Sequence, residues 1–389
     1  MNTRTSDRAD SAPTLVALIP QLMDEKGHYY AYARAVERAC LLNGWRYCAA
    51  LPCTSALKPA SEGWSKCLYT DQANWRQRVG PALLSIVRTT LSVRKFLRSL
   101  PSSASTRSIL FIDSFDQAFI VAAIIGVLLV RKAPATIWLF CRYGYRRLFM
   151  QGRLLQVIGA VLRNPLLSKR LVYLTDSKLL EQSYAELLSR RPEVMPIPHT
   201  HSAVRESSRA SAWDDWILWW PGEPREHKGW SVIRRLAACV DPASAKFRLV
   251  VAECAGIRAA PQGIRVEGIS NPLTMDQYAQ TLGRADIILL PYDPIVYEEA
   301  TSGIFVESIV AGKIPLVSGS TWMAFELERF NLKELILDWT EDALFTRLLQ
   351  IARSASVRDR LASMRREYGR FHNEPSYARR MVDVYLRTR

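Results

Sequence analysis

The sequence predicts an α/β protein made of two doubly wound halves, each a parallel sheet covered by helices. The chain has 389 residues, which is too long for one ordinary hydrophobic core. Short apolar runs alternate with segments of helix length, as they do in β-α-β units. A polar, serine-rich stretch at 201–213 interrupts this alternation, which then restarts. We therefore expect an N-terminal domain over 1–200, a linker over 201–213 and a C-terminal domain over 214–389, whose terminal helices could pack back on the N-terminal domain.

The first half opens with a strand, a glycine-containing loop, an amphipathic helix and a second strand, which is a βαβ unit. The helix has an alanine-rich apolar face and ends at Asn43 and Gly44, a common helix stop. The predicted strands of this half are 14–19, 45–51, 108–112, 135–140, 171–174 and 194–197. The predicted helices are 31–42, 74–100, 116–130 and a segment after Ser177.

The second half repeats the alternation with shorter connections. Its predicted strands are 216–220, 247–252, 264–267, 287–290 and 314–317. Its predicted helices are 228–240, 275–282, 302–311, 341–354 and 357–370. Two doubly wound halves that face each other across a cleft follow from this pattern.

Residues 285–320 form the clearest β-α-β unit of the chain. Pro291, Gly312 and Gly319 lie where turns are needed between its apolar strands and its short helix. Ligands of parallel sheets bind beyond the carboxyl ends of the strands. The loop at 292–302, which contains Glu299, is therefore a candidate ligand site.

The net charge of +15 is confined to the first half. Residues 1–170 hold 24 Lys and Arg against 9 Asp and Glu, whereas residues 171–389 hold 28 of each. Basic residues cluster within 88–98 and within 142–153, where aromatic residues lie between them. Such a surface suits anionic lipid headgroups, and we expect a membrane-surface contact there. A solvated face and a nucleic-acid contact are the alternatives, and the second is disfavoured because no recognised nucleic-acid module is present.

Cysteine use and apolar run length indicate a reducing compartment and no membrane span. The seven cysteines are scattered and form no CxxC pair, which is typical of buried thiols. The N-terminus is polar, so no signal peptide is visible. The longest apolar run, 118–130, is shorter than the roughly 20 residues of a membrane helix. We expect a cytoplasmic protein that is peripheral on the inner face of the cell membrane.

Three segments of the second half resemble the nucleotide-sugar-binding domain of GT-B glycosyltransferases. Residues 222–229, GEPREHKG, are similar to a phosphate loop with a Lys-Gly end. Glu299 and Glu307 match a motif of two glutamates separated by seven residues, and 307–317, ESIVAGKIPLV, resembles an "EAxAxGxPVV" segment. LTDSK at 174–178 and MPIPH at 195–199 give weaker agreement in the first half. The likeness is to the retaining family-4 group (glycosyl transferases group 1), whose fold is two Rossmann-like domains.

The resemblance assigns roles to residues whose chemistry suits them. A nucleotide diphosphate develops negative charge as it leaves, so fixed positive charge and helix N-termini stabilise it. Lys228, just inside a predicted helix, supplies a point charge and Arg225 a planar fork. The resemblance implies that Glu307 binds the ribose and Glu299 the donor sugar. The donor-binding set implied is Glu307, Gly222, Thr301, Ser302, Gly303 and Ile304; the catalytic set is Lys228, Glu299 and Arg225.

Further predictions concern the acceptor side, metal binding and alternative interpretations of two donor-site residues. Gly27, His28 and Arg142 are the candidate acceptor-side residues, because they lie in loops at predicted strand ends. No metal site and no cofactor beyond the sugar donor are expected, because no DxD pair lies in a suitable loop. Two of these candidates have alternative interpretations. Lys228 could be a solvated helix residue, and Glu298 could take the role assigned to Glu299.

Three departures separate the chain from the pattern of the family. Glu223 stands where the family has an Arg, so Arg225 must substitute for it. Gly303 follows Glu299 by four residues where three are usual. Arg142 lies where many relatives carry a His, and an arginine cannot accept a proton.

The sequence therefore supports two hypotheses about function. The first is a glycosyltransferase that moves a sugar from a nucleotide-diphosphate donor to a lipid-linked or polysaccharide acceptor, with retention, in cell-envelope glycan synthesis. The alternative is a catalytically weakened GT-B protein that acts as a membrane-associated binding partner or scaffold.

Overall fold

The computed structural model describes most of both predicted halves. The described residues are 12–58, 63–70, 79–101, 107–114, 117–131, 133–144, 168–188, 190–200 and 215–388. The predicted linker at 201–213 and the basic positions 145–153 lie outside these ranges. The chain divides into two compact units, one of Met1–Glu25, Tyr32–Met195 and Tyr377–Arg389, the other of Lys26–Ala31 and Pro196–Ser376.

The first unit contains a seven-stranded parallel sheet of order β3-β2-β1-β4-β5-β6-β7. The central strands β1, β4 and β5 are buried at every residue, as expected for a parallel sheet with helices on both faces. The strands are β1 Thr14–Leu18, β2 Arg46–Pro52, β3 Trp64–Leu68, β4 Ser108–Ile112, β5 Thr136–Phe140, β6 Leu171–Thr175 and β7 Glu193–Val194. The strand order reverses between β1 and β4, which is the hallmark of a doubly wound sheet.

Among the described residues of the first half, four helices cover this sheet, and the C-terminal helix joins them. They are α1 His28–Leu42, α2 Val79–Ser99, α3 Gln117–Leu128 and α4 Lys178–Leu188. The C-terminal helix α12, Glu374–Arg387, packs here from Tyr377 onward. The Tyr377 and Tyr32 hydroxyls are hydrogen-bonded at 2.8 Å, and Asn43 Nδ2 donates to the Ala378 carbonyl at 2.7 Å. None of the described helices is both long and apolar enough to cross a membrane.

The second unit contains a six-stranded parallel sheet of order β10-β9-β8-β11-β12-β13. The strands are β8 Trp216–Trp219, β9 Phe247–Ala252, β10 Arg265–Ile269, β11 Ile287–Leu290, β12 Ile314–Ser318 and β13 Ile336–Leu337. The helices are α5 Trp230–Ala238, α6 Met275–Arg284, α7 Pro294–Tyr297, α8 Gly303–Val310, α9 Trp322–Arg329, α10 Leu344–Arg353 and α11 Ala355–Phe371. The order reverses between β8 and β11, so the loops after these two strands open at the switch point.

Candidate donor site

The loop after β8 is shaped by two glycines with left-handed backbone. Gly222 has φ 93° and Gly229 has φ 82°. A Cβ atom at Gly229 would lie 2.2 Å from the Pro291 carbonyl oxygen, so only glycine permits this approach. The three residues before Gly229 form a 3-10 helix, Glu226–Lys228, and α5 begins only at Trp230. The prediction that Lys228 lies inside an α-helix is therefore wrong, because the left-handed Gly229 separates the two helices.

Lys228 points back to the start of the same loop. A Cβ atom at Gly222 would lie 3.2 Å from Lys228 Nζ, which places the ammonium beside this glycine. Burial lowers the pKa of Lys228, and the Arg225 charge lowers it further while Glu223 opposes this. Trp220 Nε1 donates to the Lys228 carbonyl at 3.0 Å and fixes the backbone. A half-buried cation therefore lies beside the first glycine of the loop.

Arg225 is already paired within the loop. Its Nε donates to Glu223 Oε2 at 2.8 Å, and its Nη2 contacts the same oxygen. Both side chains are more than half exposed. The residue that departs from the family pattern, Glu223, thus neutralises the arginine expected to replace the missing one. Lys228 is left as the more buried positive charge of this loop.

The loop after β11 is tied to the loop after β8. The Asp293 amide donates to the His227 carbonyl at 3.0 Å, and the Tyr297 ring lies over the His227 ring with centroids 6.3 Å apart. Asp293 also caps the short helix α7, because its carboxylate accepts from the Ile295 amide at 2.9 Å. Two loops from neighbouring strands therefore form one surface.

The segment between α7 and α8 contains the other predicted donor-binding residues. Glu299 and Thr301 are half-buried, and Ser302 is buried as the N-cap of α8, accepting from the Phe305 amide at 3.4 Å. Gly303 and Ile304 form the first turn of α8, where backbone amides have no acceptor within the helix. These amides and the helix dipole favour an anion, as the sequence predicts for a pyrophosphate.

Glu307 is buried one turn further along α8. It is 6% exposed, and the Tyr278 hydroxyl donates to its Oε2. Its other oxygen, Oε1, lies 3.8 Å from His199 Nε2. Burial raises the pKa of Glu307 to about 7, although the Tyr278 hydrogen bond lowers it. A buried carboxylate with this pKa costs stability, which is typical of a ligand-binding group.

Tyr278 and His199 are partners of Glu307 that the sequence did not identify as site residues. Tyr278 lies on α6, whose start is fixed by a capping box between Thr274 and Gln277. Its ring packs edge-on against Trp219, with centroids 5.4 Å apart. His199 ends the MPIPH segment, which resembles a strand end of the family, and its Nε2 would lie 3.5 Å from a Cβ atom at Gly303.

Two of the predicted acceptor-side residues, Gly27 and His28, belong to the second unit, and Arg142 belongs to the first. Gly27 has φ 81°, and His28 begins α1 with its ring 4.0 Å from that of Tyr29. Arg142 follows β5 in the first unit and donates from Nε to the Asp113 carbonyl at 3.2 Å. Its guanidinium lies 4.0 Å from the ring centroid of Tyr32. Arg142 is thus held by its own domain, and its role towards an acceptor stays a prediction.

No protein-family model matches this chain, and no curated protein sequence matches it. Solved structures match over nearly the whole chain. A trehalose-6-phosphate protein from E. coli bound with UDP-2-fluoro glucose has a TM-score of 0.65 at 12% identity, covering 96% of this chain and 99% of the other. The calicheamicin glycosyltransferase CalG4 has a TM-score of 0.56 at 14% identity, covering 97% and 98%. A putative UDP-N-acetylglucosamine 2-epimerase from Listeria monocytogenes has a TM-score of 0.58 at 11% identity, covering 96% and 95%.

These matches define the fold of the chain. The chain has the fold of two Rossmann-like domains found in GT-B glycosyltransferases, and the predicted fold class is confirmed. At such low identity the likeness shows the fold alone, because one fold hosts more than one activity. The assignment of an activity must therefore come from the site.

Proposed function

We propose that this protein is a glycosyltransferase that moves a sugar from a nucleotide-diphosphate donor to a lipid-linked or polysaccharide acceptor. The observation that carries the proposal is a half-buried lysine and a buried glutamate at the carboxyl ends of two neighbouring strands. Lys228 lies in the loop after β8, and Glu307 lies on the helix that follows β11. The switch point of a doubly wound sheet is where nucleotides bind.

Each side chain suits one part of such a donor. The Lys228 ammonium and the amides of Gly303 and Ile304 offer positive charge to a pyrophosphate. The Glu307 carboxylate accepts hydrogen bonds from two vicinal hydroxyls, as a ribose presents them. Glu299 lies between these groups in sequence, and we assign it to the donor sugar. Arg225 contacts the phosphates as well if donor binding breaks its ion pair with Glu223.

Retention and metal independence belong to the same proposal. Retention here does not use the paired carboxylates of glycosidases; the leaving phosphate takes the acceptor proton while the protein orients both substrates. Positive charge from Lys228 and from the first turn of α8 supports the leaving group, which is the task that a metal ion performs elsewhere.

The acceptor and its location are assigned from charge. We place the enzyme at the inner face of the cell membrane in envelope glycan synthesis, because the excess positive charge lies in the first 170 residues. Basic positions within 88–98 and 142–153 would contact anionic lipid.

The test is a panel of nucleotide sugars scored by calorimetry and by the fate of the sugar. We expect one donor to bind, and its sugar to be transferred or slowly hydrolysed. Lys228→Ala and Glu307→Ala should each lower turnover by about 10²- to 10³-fold, as loss of a charge-stabilising group does. Exposed residues of the same kind, in Lys246→Ala and Glu328→Ala, serve as matched controls.

Three results would contradict the proposal. Wild-type turnover in both site variants would remove these residues from the reaction. Absence of affinity for every donor and for nucleoside diphosphates would favour a binding partner or scaffold. A donor whose sugar is epimerised but never transferred would favour the activity named for the epimerase relative.

A further inference from the structure

Helix α2 has an outward face that is apolar over its first half and basic over its second. Leu83, Leu84, Val87 and Leu91 are between 51% and 60% exposed. Their spacing of three and four residues places them on one side of the helix. The opposite side is buried in the core of the first unit, in which Val93, Phe96 and Leu97 take part.

The basic part of this face continues the apolar part. Arg88, Lys95 and Arg98 are exposed, and Arg88 is held outward by a 2.9 Å hydrogen bond to the Tyr69 hydroxyl. No acidic residue occurs between Val79 and Ser99. The face therefore combines exposed leucines with positive charge that no acidic residue of the same helix offsets.

The neighbouring helix α3 adds to the same layer. Thr90 Oγ1 donates to the Ala122 carbonyl at 3.3 Å, and a Cβ atom at Gly126 would lie 3.0 Å from Val93 Cγ1, so α2 and α3 pack side by side. Three apolar side chains at the C-terminal end of α3 and just beyond it are also exposed: Ile125, Leu128 and Leu129. The described parts of α2 and α3, with Leu129, thus expose seven large apolar side chains.

The charge of this face distinguishes between two possible partners, a second copy of the chain and a lipid surface. A contiguous apolar patch rimmed by polar residues marks a partner or a membrane. A second copy of this chain packed on the same face would bring a second set of these positive charges into one interface, with no acidic residue of the helix to offset them. An anionic lipid surface meets both properties, because its headgroups match the basic residues and its acyl boundary accepts the leucines.

We propose that the outer face of α2 lies in the membrane interface, with Leu84, Val87 and Leu91 inserted below anionic headgroups and Lys95 and Arg98 against them. The inference rests on the membrane contact in the proposed function and gives it a surface and a mode of binding. Membrane binding by charge alone would be lost at high salt, whereas binding that includes insertion of leucines would persist.

The experiment is co-sedimentation of the full chain with vesicles of phosphatidylglycerol and phosphatidylcholine, and with vesicles of phosphatidylcholine alone. Leu84→Gln/Leu91→Gln is compared with Leu41→Gln/Leu42→Gln, which replaces two leucines on α1 that are more exposed, at 65% and 61% against 51% and 52%. Binding is measured at low salt and at about 0.5 M NaCl, where the Debye length is only a few ångström. Light scattering gives the oligomeric state, and calorimetry with a nucleoside diphosphate reports on the donor site.

We expect the wild type and the α1 variant to bind anionic vesicles and to keep part of that binding at high salt. The α2 variant should lose at least about tenfold in partitioning for each leucine removed. Unchanged partitioning of the α2 variant, or no binding by the wild type, would overturn the inference. A wild-type dimer that becomes monomeric in the α2 variant would also overturn the inference, because a second copy would then cover the face. Donor affinity should be equal in all three proteins, so that failure here stays separate from failure of the transferase assignment.

Discussion

Glu307→Gln should make the free protein more stable at pH 8 while it weakens donor binding. Glutamine keeps the shape of the side chain and accepts the Tyr278 hydrogen bond, but it carries no charge. The wild-type carboxylate is buried, and its pKa is about 7 instead of the ordinary 4.5. Ionising Glu307 in the folded state therefore costs free energy that the variant does not incur.

The magnitude follows from the pKa. One pKa unit corresponds to about 1.4 kcal/mol, so the ionised carboxylate costs about 3 kcal/mol at pH 8 relative to an exposed glutamate. The folded-state pKa lies above the unfolded-state value. The favourable contribution of Glu307 is therefore complete below about pH 4.5 and is lost as the pH rises through about 7. The stability gained by the variant should grow across this window and stay constant above it.

The assay is chemical unfolding of both proteins between pH 5 and 8, followed by a probe in the second unit, together with calorimetric titration of the donor. Glu328→Gln, an exposed replacement on the same unit, is the control. A variant that is less stable than the wild type at pH 8 and binds donor equally well would refute the reasoning. It would show that Glu307 supports the fold and not the ligand.

Three further predictions follow from the same site. Gly229→Ala should disrupt the loop after β8 and abolish donor binding. The control Gly283→Ala places its Cβ in open space and should fold normally. Circular dichroism measures the folding of each variant, and calorimetry measures its donor affinity. Tyr278→Phe removes a hydrogen bond that lowers the pKa of Glu307, so the pH dependence of donor affinity should move to higher pH. Treatment with EDTA should leave turnover unchanged, and recovery of lost activity by added Mg²⁺ would contradict metal independence.

The sheet cores were predictable because apolar residues fill them on both faces. Three predicted strands, Ser108–Ile112, Phe247–Ala252 and Ile287–Leu290, have the observed bounds. Their side chains are buried almost throughout, so the run length alone defines the strand. The glycine loop was also recognisable, since Gly222 and Gly229 bracket it and both have positive φ.

Other elements gave weaker signals. The edge strand β3, Trp64–Leu68, was missed because Ser65 and Lys66 are exposed and break the apolar run. Helix α12 was missed although Tyr377, Met381 and Val384 recur at helical spacing and are buried. Local pattern could not show that Tyr278 reaches Glu307, because the two residues come from different helices and only the packing of the sheet brings them together.

Burial disfavours the charged forms of both Lys228 and Glu307. It lowers the pKa of Lys228 and raises that of Glu307, so the free protein disfavours the charge of both. Natural proteins keep such unfavourable groups at functional sites, where a ligand supplies the missing partners. A nucleotide diphosphate has phosphates for the lysine and ribose hydroxyls for the carboxylate, and binding it would recover part of the cost of both. Donor binding should therefore stabilise the fold of the wild type more than that of a variant in which either charge has been removed, which ties the folding energetics of this site to its ligand.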